Sequence, residues 1–152
     1  MKLSEVKIGS TFTISGIELI KFSEENGSAV AVAKESLYNS SFGANNNFSN
    51  SKVLEELQKK VLPKLEDTVG AENILEFETD LLSLDGSDVY GKMKSKISLP
   101  TFDFYRQNVK IFDQYKLNDW WWLSTPDSTK EHVNDYWIVC VSPRGIDRKS
   151  VV

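Results

Sequence analysis

The sequence predicts a single α+β domain with β-strands at both ends and helices between them. Three observations carry that reading. Short apolar runs rich in β-branched residues fill the first third of the chain. A helical spacing of Val53, Leu54, Leu57, Val61, Leu62 and Leu65 follows in the middle. The strand pattern then returns at Trp120 to Leu123 and Tyr136 to Val141. At 152 residues, 40% of them hydrophobic, the chain fits one domain with a sizeable core.

Taken in order, Phe12 and Ile14, then Ile17, Leu19, Ile20 and Phe22, then Ala29 to Ala33 read as three strands. Ser15-Gly16 separates the first two runs and Glu24 to Ser28 the second pair, where Asn26-Gly27 favours the positive φ of a hairpin loop. The expectation is an antiparallel three-stranded meander. Tyr38 to Ser51 is polar and small and reads as a loop pinned by Phe42 and Phe48. Asn50 or Ser51 is placed to cap the central helix, Pro63 to kink or restart it, and Gly70 to end it. Ile74, Leu75 and Phe77 suggest a short strand, and Ser83 to Gly86 a turn. Residues 87 to 97, with Tyr90-Gly91 and several lysines, read as an exposed excursion. Thr101 is placed to cap a short helix carrying Phe102, Tyr105 and Val109. The two last strands close on a Ser142-Pro143-Arg144-Gly145 turn. Repeats, linkers and charge blocks are absent from the sequence.

Composition narrows the function classes. Lys and Arg number 18 against 22 Asp and Glu, so the net charge of −4 argues against a nucleic-acid-binding surface. One Cys forms no internal disulfide, and one His removes most His-dependent metal and catalytic schemes. The first residues mix Lys, Glu and Ser rather than forming a signal peptide, and no apolar stretch is long enough for a membrane span. A cytoplasmic or virion-associated protein without a cofactor is the expectation.

The most unusual local feature is Asn118-Asp119-Trp120-Trp121-Trp122-Leu123-Ser124-Thr125-Pro126-Asp127. In a strand, Trp120 and Trp122 share one face and Trp121 takes the other. Large rings of this kind usually fill a core; an exposed indole would instead stack on a ligand such as a sugar ring. Asp119, Asp127, Glu131, Asn134 and Asp135 lie near this run, but their spacing matches no calcium loop. His132 has Asp127 or Asp135 as candidate acid–base partners. Cys140 sits among apolar neighbours and reads as an inert buried thiol. Asp80, Asp85 and Asp88 read as turn residues, and Arg106 as an ion-pair or ligand-carboxylate partner near Asp103. Phosphate-cradling glycine loops, Gly-x-Ser-x-Gly and His-Glu-x-x-His are all absent.

Trp121-Trp122-Leu123-Ser124-Thr125-Pro126 resembles the Trp-Trp-Leu-Arg-Ser-Pro signature of an uncharacterised domain family of gut Gram-positive bacteria and their phages. Val139-Cys140-Val141-Ser142-Pro143-Arg144-Gly145 fits the segment that follows in that family. Val6-Lys7-Ile8-Gly9 with Phe12, Phe42-Gly43 with Asn45 to Asn47, Leu84-Asp85-Gly86, Tyr90-Gly91, and Thr101-Phe102-Asp103 with Tyr105-Arg106 are similar to a phage-associated branch. Ser124 stands where the family usually has Arg, and the family's closing Gly-Val-Arg-Pro strand is missing. The family is distantly similar to C-type-lectin-like and formylglycine-generating-enzyme-type domains. The resemblance implies a non-enzymatic module that binds a protein or glycan. The alternatives are an enzyme related to the formylglycine-generating group or a small intracellular phage regulator of a host protein. The candidate binding residues are Trp120, Trp121, Trp122, Asp119, Asp127, Arg106 and Arg144. Asp147 to Val152 resembles the translation of a common sequencing adapter, the alternative being a natural polar tail, so the domain is expected to span 1–146 with 147–152 outside it and its final strand lost.

Overall fold

The computed structural model describes residues 2–151, with eight strands in three antiparallel sheets and a few helices. The fold is α+β and mostly β. In the first sheet, β1 (Thr11–Ile14), β2 (Ile17–Glu25) and β3 (Ser28–Ala33) form the expected meander, in the order β1-β2-β3. Both connections are two-residue turns with positive φ at both positions: Ser15 at 52° and Gly16 at 76°, then Asn26 at 53° and Gly27 at 78°. That backbone twist matches the twist of the flanking strands, which is why Asn-Gly closes the second hairpin. A bulge between Lys21 and Ser23 bends β2. Around it Ile20, Lys21 and Phe22 are all buried, so both faces of the strand are covered. Phe22 meets Phe112 and Phe104, with centroids 4.6 and 5.3 Å away. The ammonium of Lys21, a residue 1% exposed, donates to the carbonyls of Leu3 and Val6 and pairs with Glu24 at 2.9 Å. A buried lysine is tolerated because its donors find oxygen partners.

Ser51 caps the central helical run, its Oγ accepting from the Leu54 N–H at 3.1 Å. The run is α1 (Lys52–Glu56), one π-helical turn (Leu57–Val61) and α2 (Leu62–Val69). Pro63 lies in the first turn of α2, where its missing N–H costs nothing and the wider turn before it relieves the ring clash. Gly70, at φ 88°, ends α2. Val53, Leu54, Leu57 and Val61 face the main core, where the fully buried Phe42 and Phe48 pin the preceding loop as expected.

The second sheet pairs β4 (Phe77–Asp80) with β5 (Lys92–Ser95). Residues 92 to 95 were expected within an exposed excursion and are a strand instead. Met93 and Ser95 turn inward while Lys92 and Lys94 face solvent, an alternation that the lysine content obscured. The short helix α3 (Phe102–Gln107) is capped by Thr101, whose Oγ1 accepts from the Phe104 N–H. Val109 starts a separate helix, α4 (Val109–Gln114), rather than extending α3.

The third sheet has the order β6-β7-β8, with β6 (Trp121–Pro126), β7 (Trp137–Ser142) and β8 (Gly145–Ser150). Residues 147 to 150, set outside the domain by the sequence reading, are paired along β7 from Cys140↔Asp147 to Trp137↔Ser150. The outer side of β7 is therefore occupied, and β7 is the central strand. Its residues alternate between two cores. Ile138 packs with Trp122 in the main core, while Val139 and Val141 pack with Leu123 and Tyr105 in a second one. No helix among the described residues is long and apolar enough to cross a membrane.

Candidate functional site

The three consecutive indoles separate as strand geometry requires. Trp121 turns toward the second core, its ring 5.6 Å from Phe112 and 6.2 Å from Tyr105. Trp122 turns toward the main core, meeting Phe42 edge-on at 5.6 Å and donating from Nε1 to the Ser40 carbonyl at 3.4 Å. Both rings thus serve packing. Trp120, just before β6, is half-buried, and meets Trp122 at 5.0 Å with the ring planes 88° apart. Its face carries the Lys149 ammonium, 3.0 Å from the ring centroid. Asp119, exposed beside it, accepts from the Trp120 N–H at 2.8 Å.

Asp127 directly follows β6 and accepts from the Arg148 guanidinium at 3.0 Å, with its side chain 16% exposed. Arg148 also stacks over Trp137 at 5.7 Å. The neighbouring residues of β8 thus project to opposite faces of the sheet, Lys149 onto Trp120 and Arg148 onto Trp137 and Asp127. Arg106 and Arg144 are not joined to this corner by any hydrogen bond, ion pair or ring contact among the described residues. Arg106 pairs with Asp103 on its own helix at 2.9 Å and stacks over Phe102. Arg144 is exposed in the β7–β8 turn, its N–H donating to Ser142 Oγ.

His132 pairs with neither Asp127 nor Asp135. Its Nδ1 lies 2.7 Å from Asp85 Oδ2, because Leu84 and Asp85 donate their N–H groups to the Pro126 and Asp127 carbonyls and so bring the two loops together. Partial burial pushes the Asp85 carboxyl up. Hydrogen bonds, led by that from Ser83, and the facing imidazole outweigh it, and the carboxyl sits below its ordinary range. The imidazole itself is more than half exposed. Asp80, Asp85 and Asp88 do not converge, and no group of three or more His, Cys, Asp or Glu suited to a metal occurs among the described residues.

No protein-family model, curated protein or solved structure matches the chain.

The chemistry of the site therefore rests on its own residues. Cys140 is buried opposite Trp122, and burial, with Asp147 opposite it in β8, pushes its thiol up to about 11 despite the opposing charge of Lys149. At neutral pH the sulfur is protonated and poorly nucleophilic. Asn46, which the sequence reading names only within the Asn45 to Asn47 run of the family resemblance, is fully buried. Its side chain donates to the Ser128 and Trp137 carbonyls and accepts from Tyr90 at 2.6 Å. Burial pushes the Tyr90 hydroxyl up to about 12, so it stays a donor to Asn46. That hub ties the 38–51 loop to the segment after β6. The only sequence signal for it is an asparagine-rich run, which reads equally well as a solvated loop. Lys149 and Arg148 lie in the segment that the sequence reading sets outside the domain, so no sequence argument singles them out.

Proposed function

We propose that the chain is a non-enzymatic ligand-binding module whose binding corner is built on Trp120. The observation that carries this reading is the division of labour among the three indoles. Two pack against core clusters, and the third, half-buried like them, joins neither cluster, meets Trp122 edge-on and carries a lysine over its face. An ammonium over a partly exposed ring contributes about 0.5–1 kcal/mol, a cover that a stacking ligand can displace. Asp119 supplies an acceptor beside the ring, and Lys149 a donor for hydroxyl or carboxylate groups. A protein or glycan ligand fits these groups, and the resemblance to an uncharacterised domain family of gut Gram-positive bacteria and their phages supports the same reading. The protonated, buried Cys140 gives a thiol-based enzyme no support.

Binding of the full chain to a glycan array and to intact Gram-positive cells tests the proposal. Wild type is expected to bind, and Trp120→Ala to lose at least tenfold in affinity while keeping its circular dichroism spectrum. Binding that survives Trp120→Ala unchanged places the site elsewhere. Absence of binding on both surfaces, for a chain with a native spectrum, overturns the glycan and cell-receptor reading.

A further inference from the structure

Among the described residues the sheet edges are guarded, with one exception. β8 carries Asp147, Arg148 and Lys149, β5 carries Lys92 and Lys94, and β4 carries Glu78 and Asp80. The outer side of β6 is bonded by the Ser124 N–H to the Pro100 carbonyl, and β1 lies against α2. Charges and cover of this sort prevent edge-to-edge pairing. β3, by contrast, reads Ser28-Ala29-Val30-Ala31-Val32-Ala33, with no charge and no proline. It is the end strand of its sheet, and no backbone hydrogen bond reaches its outer side among the described residues. Val30 is 47% exposed.

The backbone of β3 presents its free groups in a definite phase. Ala31 lies opposite Lys21, but Lys21 donates its N–H to the Ser10 carbonyl and accepts from the Gly9 N–H, both on the β1 side. Ala31 therefore has no ladder bond to β2 at this position, and its N–H and C=O point outward. The Lys34 N–H, by contrast, bonds inward to the Glu18 carbonyl. By alternation Ala33 also points outward, in phase with Ala31.

We infer that the chain forms a two-fold dimer by antiparallel pairing of β3 with β3 of a second copy, centred on Ala31. A second copy is the occupant because the segment from Ala29 to Ala33 is a palindrome, Ala-Val-Ala-Val-Ala, and an antiparallel two-fold axis pairs a palindrome with itself. Ala31 exchanges both backbone bonds with Ala31 of the second copy, and Ala33 does so with Ala29. Val30 lies beside Val32 of the second copy on one face, the apolar cross-strand pair that stabilises sheets. Charge follows the same register. Glu25 is opposite Ser28 in the present sheet, and Lys34 is paired with Glu18 at 2.9 Å. The pairing sets Lys34 of the second copy across Ser28, so each end of the seam reads Glu25, Ser28, Lys34, Glu18 across four strands on one face. Lysine thus falls between two glutamates, with only a serine intervening. The result is one continuous six-stranded sheet with no free β3 edge.

Sedimentation equilibrium of the full chain over a concentration series, up to about 1 mM, tests this. Wild type is expected to move from one chain mass to two and no further. Ala31→Pro removes an outward N–H that the β2 ladder does not use, a position where an edge strand tolerates proline. Val30→Lys puts a charge beside Val32 of the second copy. Each is expected to weaken dimerisation at least tenfold while leaving the monomer's circular dichroism unchanged; if one variant fails to fold, the other decides. A single chain mass up to the highest concentration overturns the inference, as does assembly beyond two chains. Dimers that persist unchanged in the folded variants also overturn it, because they place the interface elsewhere.

Discussion

At the scale of single residues, identical side chains in adjacent positions have different consequences. Trp122 meets Phe42 in the main core and Trp121 meets Phe112 in the second, whereas Trp120 leans on the rim under Lys149. Truncating a fully buried aromatic removes its transfer free energy and leaves a cavity, about 3–5 kcal/mol; Trp122 is half-buried but packs on Phe42 and the main cluster, which Trp120 does not. Trp122→Ala is therefore expected to lose several times more stability in urea unfolding than Trp120→Ala, and equal losses would contradict this assignment of roles. The same logic applies to Cys140. A thiol pushed up to about 11 by burial holds roughly 100-fold less thiolate at neutral pH than one at the ordinary value of 9.0. Alkylation of the native protein by iodoacetamide at pH 7 should be slower by at least that factor than in urea; a fast-reacting Cys140 would show an open or activated sulfur. The sequence announced the inert thiol through its apolar neighbours, whereas Asn46 carries no local sign of burial. Its partners Ser128 and Trp137 are more than 80 residues away, at separations of 82 and 91.

At the scale of elements, local chemistry decided most boundaries. Ser51 and Thr101 have side-chain oxygens that reach N–H groups three residues on, and both cap the helices expected of them. Ser51→Ala is expected to cost about 1 kcal/mol in chemical denaturation, and Ser51→Thr, which keeps a hydroxyl that can accept from Leu54 and donate to Phe48, to restore most of it. Equal stability of Ser51→Ala and wild type would show that the α1 cap contributes nothing. Where local reading failed, a partner strand explains the failure. The pattern of β5 is two lysines alternating with Met93 and Ser95, which becomes a strand only when β4 supplies the ladder. β8 is likewise almost wholly exposed, and its pairing with β7 is what makes it a strand. Neither carries the apolar signal that marks a strand in isolation.

At the scale of the whole molecule, the third sheet divides two hydrophobic clusters, and β7 supplies residues to both. Loops then fasten the ends of that sheet, among them the Asp85–His132 contact. The carboxyl of Asp85 lies below its ordinary value in the folded chain, so its contribution is present above the unfolded value of about 3.9 and is lost as the pH falls through the folded value. Asp85→Asn should therefore lower stability at pH 7, and the gap to wild type should close on acidification below about pH 4. Urea unfolding at a series of pH values measures this; a gap independent of pH would mean that the charge of Asp85 does not stabilise the fold.

The sequence by itself determined the fold class, the meander and its turns, both helix caps and the inward path of most aromatics. Each of these follows from residues close together in the chain: period-two or helical spacing, a positive-φ dipeptide, a hydroxyl three residues from an N–H. The tertiary structure alone decided that Trp120 stays at the rim, that Lys149 and Arg148 face Trp120 and Asp127, that His132 meets Asp85, and that β3 ends its sheet uncovered. Those outcomes depend on which distant segments pack together. Burial and strand order are properties of the assembled chain rather than of any local stretch.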